Sequence, residues 1–418
     1  MNRRQLFAVS AASLIASAFL LAGGPAGAAP TFGTPVVVSG ANDSEPGIDV
    51  ATDGTIYVNA IPGLLIGGPP SPSHLWRSTN SGASWTQTPP GVRALMLGGG
   101  DFDVDVDKVT GALYTTDLWL GSSTVASSTD KGQTWIANPV STLIQDRQWI
   151  ATAGGGRVYH ATHQLPTGVT VARSIDGGIT FPLQSVAMHV VDRTGCICPP
   201  GTLVVQGVDV LNDRVGVIAA TSSGGIVFAR SINSAATFTV RPVQSAQTGV
   251  QTQSAFPVVA DAGGGKLVAV WQETLASSSR VKVARSSDWG NTWTAATTVV
   301  SSGTSVYPWV TARGNKIGVS LFHTSASGIP DTVASTAAWH EKYVESADFG
   351  GTWSTLTTVD PVSVKSGPIC TDGLNCSTDR ELGDFQSLTM DSSGRAYLTW
   401  TRSINGSDDT EIRFARQT

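Results

Sequence analysis

Four carboxylates recur at one place in a repeated pattern. Glu45, Asp101, Asp146 and Asp384 each stand three residues before a matched strand position, at Ile48, Val104, Trp149 and Ser387. Arg147 directly follows one of them, and Arg380 lies four residues before another. The segments Asp146-Arg147-Gln148-Trp149 and Asp379-Arg380-Glu381-Leu382-Gly383-Asp384-Phe385 read as related loops. Carboxylates gathered around one space can supply an acid and a base for glycosidic cleavage. Arginines facing that space can grip an anionic group through paired N–H donors. Asp117, His163, Glu273, His323 and Arg402 leave a second strand toward the same face, and Tyr307 opens another first strand. A plainer reading makes Asp146–Arg147 and Arg380–Asp384 salt bridges between neighbouring elements, with carboxylates capping turns.

The elements that would hold these residues are set by a second pattern, Ser-x-Asp-x-Gly-x-Thr-Trp. Its copies run Ser78 to Trp85, Ser128 to Trp135, Ser174 to Phe181, Ser231 to Phe238, Ser286 to Trp293 and Ser346 to Trp353. The steps of 50, 46, 57, 55 and 60 residues are those of a repeat architecture. Asp or Asn starts a turn by bonding amides two residues on, Gly supplies a positive φ, and Thr with an aromatic opens the next strand. Each copy is thus a hairpin corner. A first strand such as Gly47 to Ala51 leads through Thr52-Asp53-Gly54 to Thr55 to Val58, and a third, His74 to Arg77, enters the corner. The pattern restarts at Phe102, Gln148, Gly207, Phe256, Pro308 and Phe385, which makes seven starts for six corners. The seventh unit ends at Glu411 to Arg416, and Thr34 to Val38 is the expected missing strand. The expectation is an all-β, single β-propeller of seven four-stranded blades, closed by the N-terminal strand and so without an open edge.

With these corners the chain resembles the Asp-box (BNR) repeat proteins, whose best-known members are the bacterial sialidases. The family's box is a structural turn on the outer edge of a blade, away from the active site, and its sialidases have six blades, the alternative to seven here. The resemblance implies an exo-alpha-sialidase-like glycoside hydrolase acting on glycans with an acidic sugar at the channel mouth. Sialidases use an arginine triad, a Tyr nucleophile with a Glu partner, and an Asp acid/base. The positions available for these roles are Arg147, Arg380 and Arg402, then Tyr307 with Glu273, then Asp101 or Asp146. Glu45 and Asp384 join the arginines as substrate-binding candidates. None of these positions carries a family motif, and where the family has Phe/Tyr-Arg-Ile-Pro this chain reads Ser44-Glu45-Pro46-Gly47-Ile48. A non-catalytic glycan- or protein-binding propeller is the second reading. A polysaccharide lyase using Tyr307, His163 or His323 as base is a third.

Arg3-Arg4, the apolar run Leu6 to Ala22 and Ala26-Gly27-Ala28 read as a secretory signal peptide over residues 1–28, resembling a twin-arginine signal. The mature domain is then 29–418, secreted and expected to be a monomer. Charged residues are 14% and Gly 46 of 418, too turn-rich for a helical bundle. A net charge of −5 leaves no basic footprint for nucleic acid. No later segment is apolar enough to span a membrane. Cys196 with Cys198 and Cys370 with Cys376 are expected as two local disulfides on the ligand face, rather than a zinc site. No cofactor is expected. Asp103-x-Asp105-x-Asp107 resembles a calcium loop without its Gly and reads better as a strand. Asn42, Asn375 and Asn405 begin sequons.

Overall fold

The computed structural model describes residues 29–418 apart from 41, 63–71, 96–97, 120, 142–143, 197 and 405–408. The expected signal peptide and the Asn405 sequon lie outside the described residues. Seven antiparallel sheets follow one another along the chain, each of four strands, with a short additional pairing in the sixth. The inner strands are Ser44–Val50, Phe102–Val106, Gln145–Gly154, Leu203–Gln206, Val258–Gly263, Thr304–Arg313 and Ser387–Met390. The seventh blade takes its outer strand from the N-terminal side, Val36–Ser39 against Thr410–Arg416. The molecule is therefore a seven-bladed β-propeller, not the six-bladed alternative.

The six Ser-x-Asp corners adopt one geometry. In the fifth blade Ser286 Oγ accepts from Gly290 N at 2.8 Å. Asp288 Oδ1 accepts from Thr292 N at 2.8 Å, and its Oδ2 from the Thr292 hydroxyl at 2.7 Å. The carboxylate thus closes the turn four residues on, not two as expected, while the serine holds the glycine. The two residues after the Asp are both left-handed, Trp289 at φ 56° and Gly290 at 72°. The corner's aromatic packs back on the previous blade: Trp293 meets Phe228 edge-on at 5.5 Å, and Trp85 meets Phe414 at 5.1 Å.

Inner strands of adjacent blades are tied by side chains. Asp49 accepts from Val106 N (2.8 Å), Asp103 from Ile150 N (2.9 Å), Asp105 from Thr152 N (2.7 Å) and Asp107 from Gly156 N (2.9 Å). The Asp103-x-Asp105-x-Asp107 run is therefore a latch between the second and third blades, and its carboxylates are aimed at amides rather than at one cation centre. The fourth blade starts earlier than the sequence pattern places it. Its inner strand is Leu203–Gln206, and the stretch from Gly207 is a hairpin turn in which Asp209 caps the amides of Leu211 and Asn212.

Candidate functional site

At the face where loops lead into the inner strands, a cavity of about 630 Å³ opens over the propeller axis. Its size is that of a small-ligand site. Three inner strands bulge where they reach it. The ladder register slips between Ser44 and Gly47, between Asp146 and Gln148, and between Val306 and Trp309. Inside those bulges Glu45 (φ 53°), Arg147 (φ 45°) and Tyr307 (φ 52°) are left-handed without being glycine. Pro46 and Pro308 follow two of them, residues that need no ladder partner for a backbone N–H. Each such conformation costs about 1–3 kcal/mol and is retained where a side chain must be re-aimed. All three side chains line the cavity.

The floor is aromatic. Trp149, Phe256, Trp309 and Phe385, from four different blades, meet over the axis, with Trp149 5.8 Å from each of the other three and Trp309 5.6 Å from Phe385. Arg147 lies on this plug, its guanidinium carbon 3.7 Å from the Trp149 ring centre and 4.4 Å from that of Phe385. It is 2% exposed, and none of its three side-chain nitrogens has a hydrogen-bond partner among the described residues. Asp101 is its nearest carboxylate, at 3.8 Å. Cation–π contact offsets part of the desolvation, but five N–H donors remain unused.

Carboxylates crowd around this arginine. Arg380 forks onto Asp384 at 3.2 and 2.7 Å and stands 3.9 Å from Glu45. Glu45 Oε1 accepts from Asp384 N at 3.1 Å. Burial, then the charges of Asp384 and Asp101, push the Glu45 carboxyl well above the usual carboxylate range, against the pull of Arg147 and Arg380. Burial also raises Asp101, with Arg147 opposing. Asp146 is pushed up to about 6 by burial and then by Asp101, and it faces the open side. Two glutamines fix the backbone: Gln148 donates to Asp101 O at 2.7 Å, and the fully buried Gln386 to Tyr307 O at 3.1 Å.

Both cysteine pairs are disulfides, Cys196–Cys198 and Cys370–Cys376, and of the four cysteines Cys198 lines the cavity. The second closes a wall loop whose Thr371, Asp372 and Asn375 line the space. Asp331 braces that loop by accepting from Thr371 N at 2.9 Å. The wall opposite the carboxylates is apolar, with Pro199, Ala220, Ala255, Phe256 and Pro257.

The structure thus brings Glu45, Asp101, Asp146, Arg147, Tyr307, Arg380 and Asp384 to one cavity. Glu273 and Arg402 are not among its lining residues. Glu273 stands directly opposite Arg280 on the next strand and pairs with it at 2.5 Å, with Gln244 as a further partner. Arg402 is likewise opposite Glu411 and pairs with it at 2.8 Å. A cross-strand partner explains each. Among the described residues Tyr307 has neither Glu273 nor another base bonded to its hydroxyl, which donates to Cys370 O at 3.2 Å, and burial and then Asp384 hold it well above the usual phenol range. That is the opposite of an activated nucleophile. Sequence reasoning missed Phe256 and the disulfide-loop residues Thr371, Asp372 and Asn375. Phe256-Pro257, a residue-proline pair near the start of an inner strand like Glu45-Pro46 and Tyr307-Pro308, was the available signal.

No known family model matches the chain, and no curated protein matches it. Solved structures do. The chain is similar to the BP39L lectin from Burkholderia pseudomallei at 12% identity, covering 89% of this chain and 98% of the other with a TM-score of 0.55. It is similar to the alpha-L-arabinanase of Penicillium chrysogenum, determined with arabinobiose, at 12% identity, 93% and 98% coverage and a TM-score of 0.51. A protein of unknown function from Dyadobacter fermentans matches at 15% identity, 92% and 97% coverage and a TM-score of 0.50. At these identities the likeness is one of fold. Among the described residues no helix is long and apolar enough to cross a membrane.

Proposed function

We propose that this cavity is the active site of an exported glycoside hydrolase acting on a glycan that carries a carboxylate, in the manner of a sialidase. The observation that carries this reading is Arg147, a buried guanidinium without hydrogen bonds among the described residues, beside a cluster of carboxylates at the bottom of an open cavity. A sugar carboxylate docking there supplies the missing acceptor, and Arg380 stands close by as a second cation. Glu45, held protonated, is the proton donor to the departing glycosidic oxygen. Asp146, on the open side, is the base that takes a proton from water above about pH 6. Tyr307 acts in binding rather than as nucleophile. The domain at work is 29–418, exported as a monomer; its two disulfides are compatible with an extracellular setting. Binding without cleavage is the second reading, favoured by the pairing of Arg380 with Asp384, which spends that arginine on a structural fork.

Hydrolysis of fluorogenic sialosides, glucuronides and arabinosides by wild type, Arg147→Met and Glu45→Gln tests the assignment. The expected outcome is turnover of an acidic glycoside but not the arabinoside. Arg147→Met should lower kcat/KM roughly 10- to 100-fold, the size of a charge-assisted hydrogen-bond loss. Glu45→Gln should abolish turnover while leaving binding by calorimetry intact. Binding of the acidic sugar with no turnover by wild type would leave the lectin-like reading standing. Turnover of the arabinoside alone would remove the acidic-sugar assignment.

A further inference from the structure

Cys198 lines the cavity, and behind it lies Arg193, which is completely buried. Arg193 Nη2 is 2.8 Å from Cys198 Sγ and 3.9 Å from Cys196 Sγ. Its remaining bonds go to carbonyl oxygens, from Nε to Ala220 at 3.2 Å and from Nη2 to Pro199 at 3.3 Å. Nη1 has no partner among the described residues, and none of their carboxylates pairs with this arginine. A disulfide sulfur is a weak acceptor. The buried cation is therefore short of a counter-ion, and a thiolate is the anion that would sit where the sulfurs already are. The neighbouring titratable groups do not fill that need. Burial, then Arg193 itself, pushes His163 down to about 4 and keeps it neutral, while Asp192 turns to the amide of His189 at 2.8 Å. The pair also closes a short loop, its cysteines two residues apart against six for Cys370–Cys376. The stabilisation a cross-link draws from chain entropy grows with the loop it closes, so the shorter one is held less firmly.

We propose that Cys196–Cys198 is a thiol–disulfide exchange site for a small thiol entering the cavity, with Arg193 as the built-in counter-ion of the thiolates formed. An incoming thiolate attacks Cys198 Sγ, on the cysteine that lines the cavity, whereas Cys196 is buried. The Cys196–Cys198 bond breaks, and its electron pair leaves with Cys196 Sγ as a thiolate beside Arg193. The mixed disulfide on Cys198 is then attacked by a second thiolate, which releases the small-molecule disulfide and leaves Cys198 as a thiolate. Two thiols are oxidised and one protein disulfide is reduced. This site is independent of the glycosidase reading.

Dithiothreitol titration of the native protein at pH 7, followed by alkylation and peptide mapping, tests it. Cys196 and Cys198 should be labelled at a dithiothreitol concentration about 10-fold below that needed for Cys370 and Cys376. Arg193→Lys should keep this order, and Arg193→Met should narrow the gap to what the shorter loop alone leaves. Simultaneous opening of both disulfides, or earlier opening of Cys370–Cys376, overturns the proposal. Should Arg193→Met fail to fold, the alkylation rate of the reduced wild-type pair against pH decides. A plateau already reached at pH 7 is expected, whereas a rise centred near the ordinary thiol pKa of about 8.5 overturns it.

Discussion

Arg147 and Glu45 show how single residues are held in states they would not choose in water. Both are left-handed at the backbone, and Glu45 keeps its proton because burial and two other carboxylates disfavour its charge. The proposed division of roles fixes the sign of the pH dependence. Activity rises as Asp146 loses its proton through about pH 6 and falls as Glu45 loses its own at higher pH. Asp146→Asn should remove the rising limb, measured as kcat/KM between pH 4 and 9; an unchanged limb would give the base to another group. Glu341, outside the cavity, makes a separate case. It is fully buried, both carboxyl oxygens lack partners among the described residues, and burial and then Asp360 raise its pKa well above the usual value. The folded state thus holds a proton that the unfolded chain gives up above about pH 4.3. The stability this proton supports is complete below that pH and is lost as pH climbs toward the folded value. Glu341→Leu should therefore raise stability at pH 8 by about 1–3 kcal/mol and change little at pH 4, as read from urea unfolding. Glu45, Asp101, Asp146 and Asp384, which share a phase in the repeat and were legible from it, all line the cavity. Glu273 and Arg402 were read toward the same face because the sequence does not display the cross-strand partner that claims each of them.

The corner that repeats six times is legible because its chemistry is local: one hydroxyl, one Asp or Asn side chain and two left-handed residues within a few positions. Its glycine has a further duty that only the neighbouring blade reveals. A Cβ on Gly290 would lie 2.3 Å from ring atoms of Phe228, whereas one on Gly263, equally left-handed, meets nothing within 4 Å. Gly263→Ala should cost only the backbone term, about 1 kcal/mol. Gly290→Ala should cost about 1–3 kcal/mol more, since Phe228 and Trp293 must shift in a packed interface. Thermal unfolding of the two variants gives the comparison, and equal Tm values would mean that the corner does not wedge the blades. The bulges at the cavity were not legible. No glycine takes their left-handed position, and a left-handed Glu, Arg or Tyr is decided by what the side chain meets across the ring. The start of the fourth blade was misplaced for a related reason. Val208-Asp209-Val210 alternates like a strand, yet Asp213 accepts from Val208 N at 2.7 Å and also binds Arg157, which turns the segment into a hairpin.

At the scale of the whole ring, the absent seventh corner and the spare N-terminal strand are one fact. A corner joins a third strand to a fourth, and in the last blade the fourth comes from the other end of the chain, so no corner is needed. Val36 pairs with Phe414 and Val37 with Arg413, and the closure continues through the Phe32–Gln417 bridge. That seam differs from the six other blades in being non-local, joining strands from opposite ends of the chain. It is also the one place where a circular sheet architecture can open without breaking the chain. Deleting residues 29–39 would leave the outer edge of Thr410–Arg416 unpaired beside Ile412 and Phe414, and would remove the buried Val38, a loss of about 1.5–3 kcal/mol for that side chain alone. The cavity lies on the axis and draws on the first and seventh blades through Glu45 and the Arg380–Asp384 fork. Opening the seam should therefore lower Tm, promote edge-to-edge dimers in light scattering, and weaken ligand binding at the mouth. A truncated chain that stays monomeric, with Tm and binding unchanged, would mean that the six corner-bearing blades and three strands of the seventh already fix the ring without its closing strand.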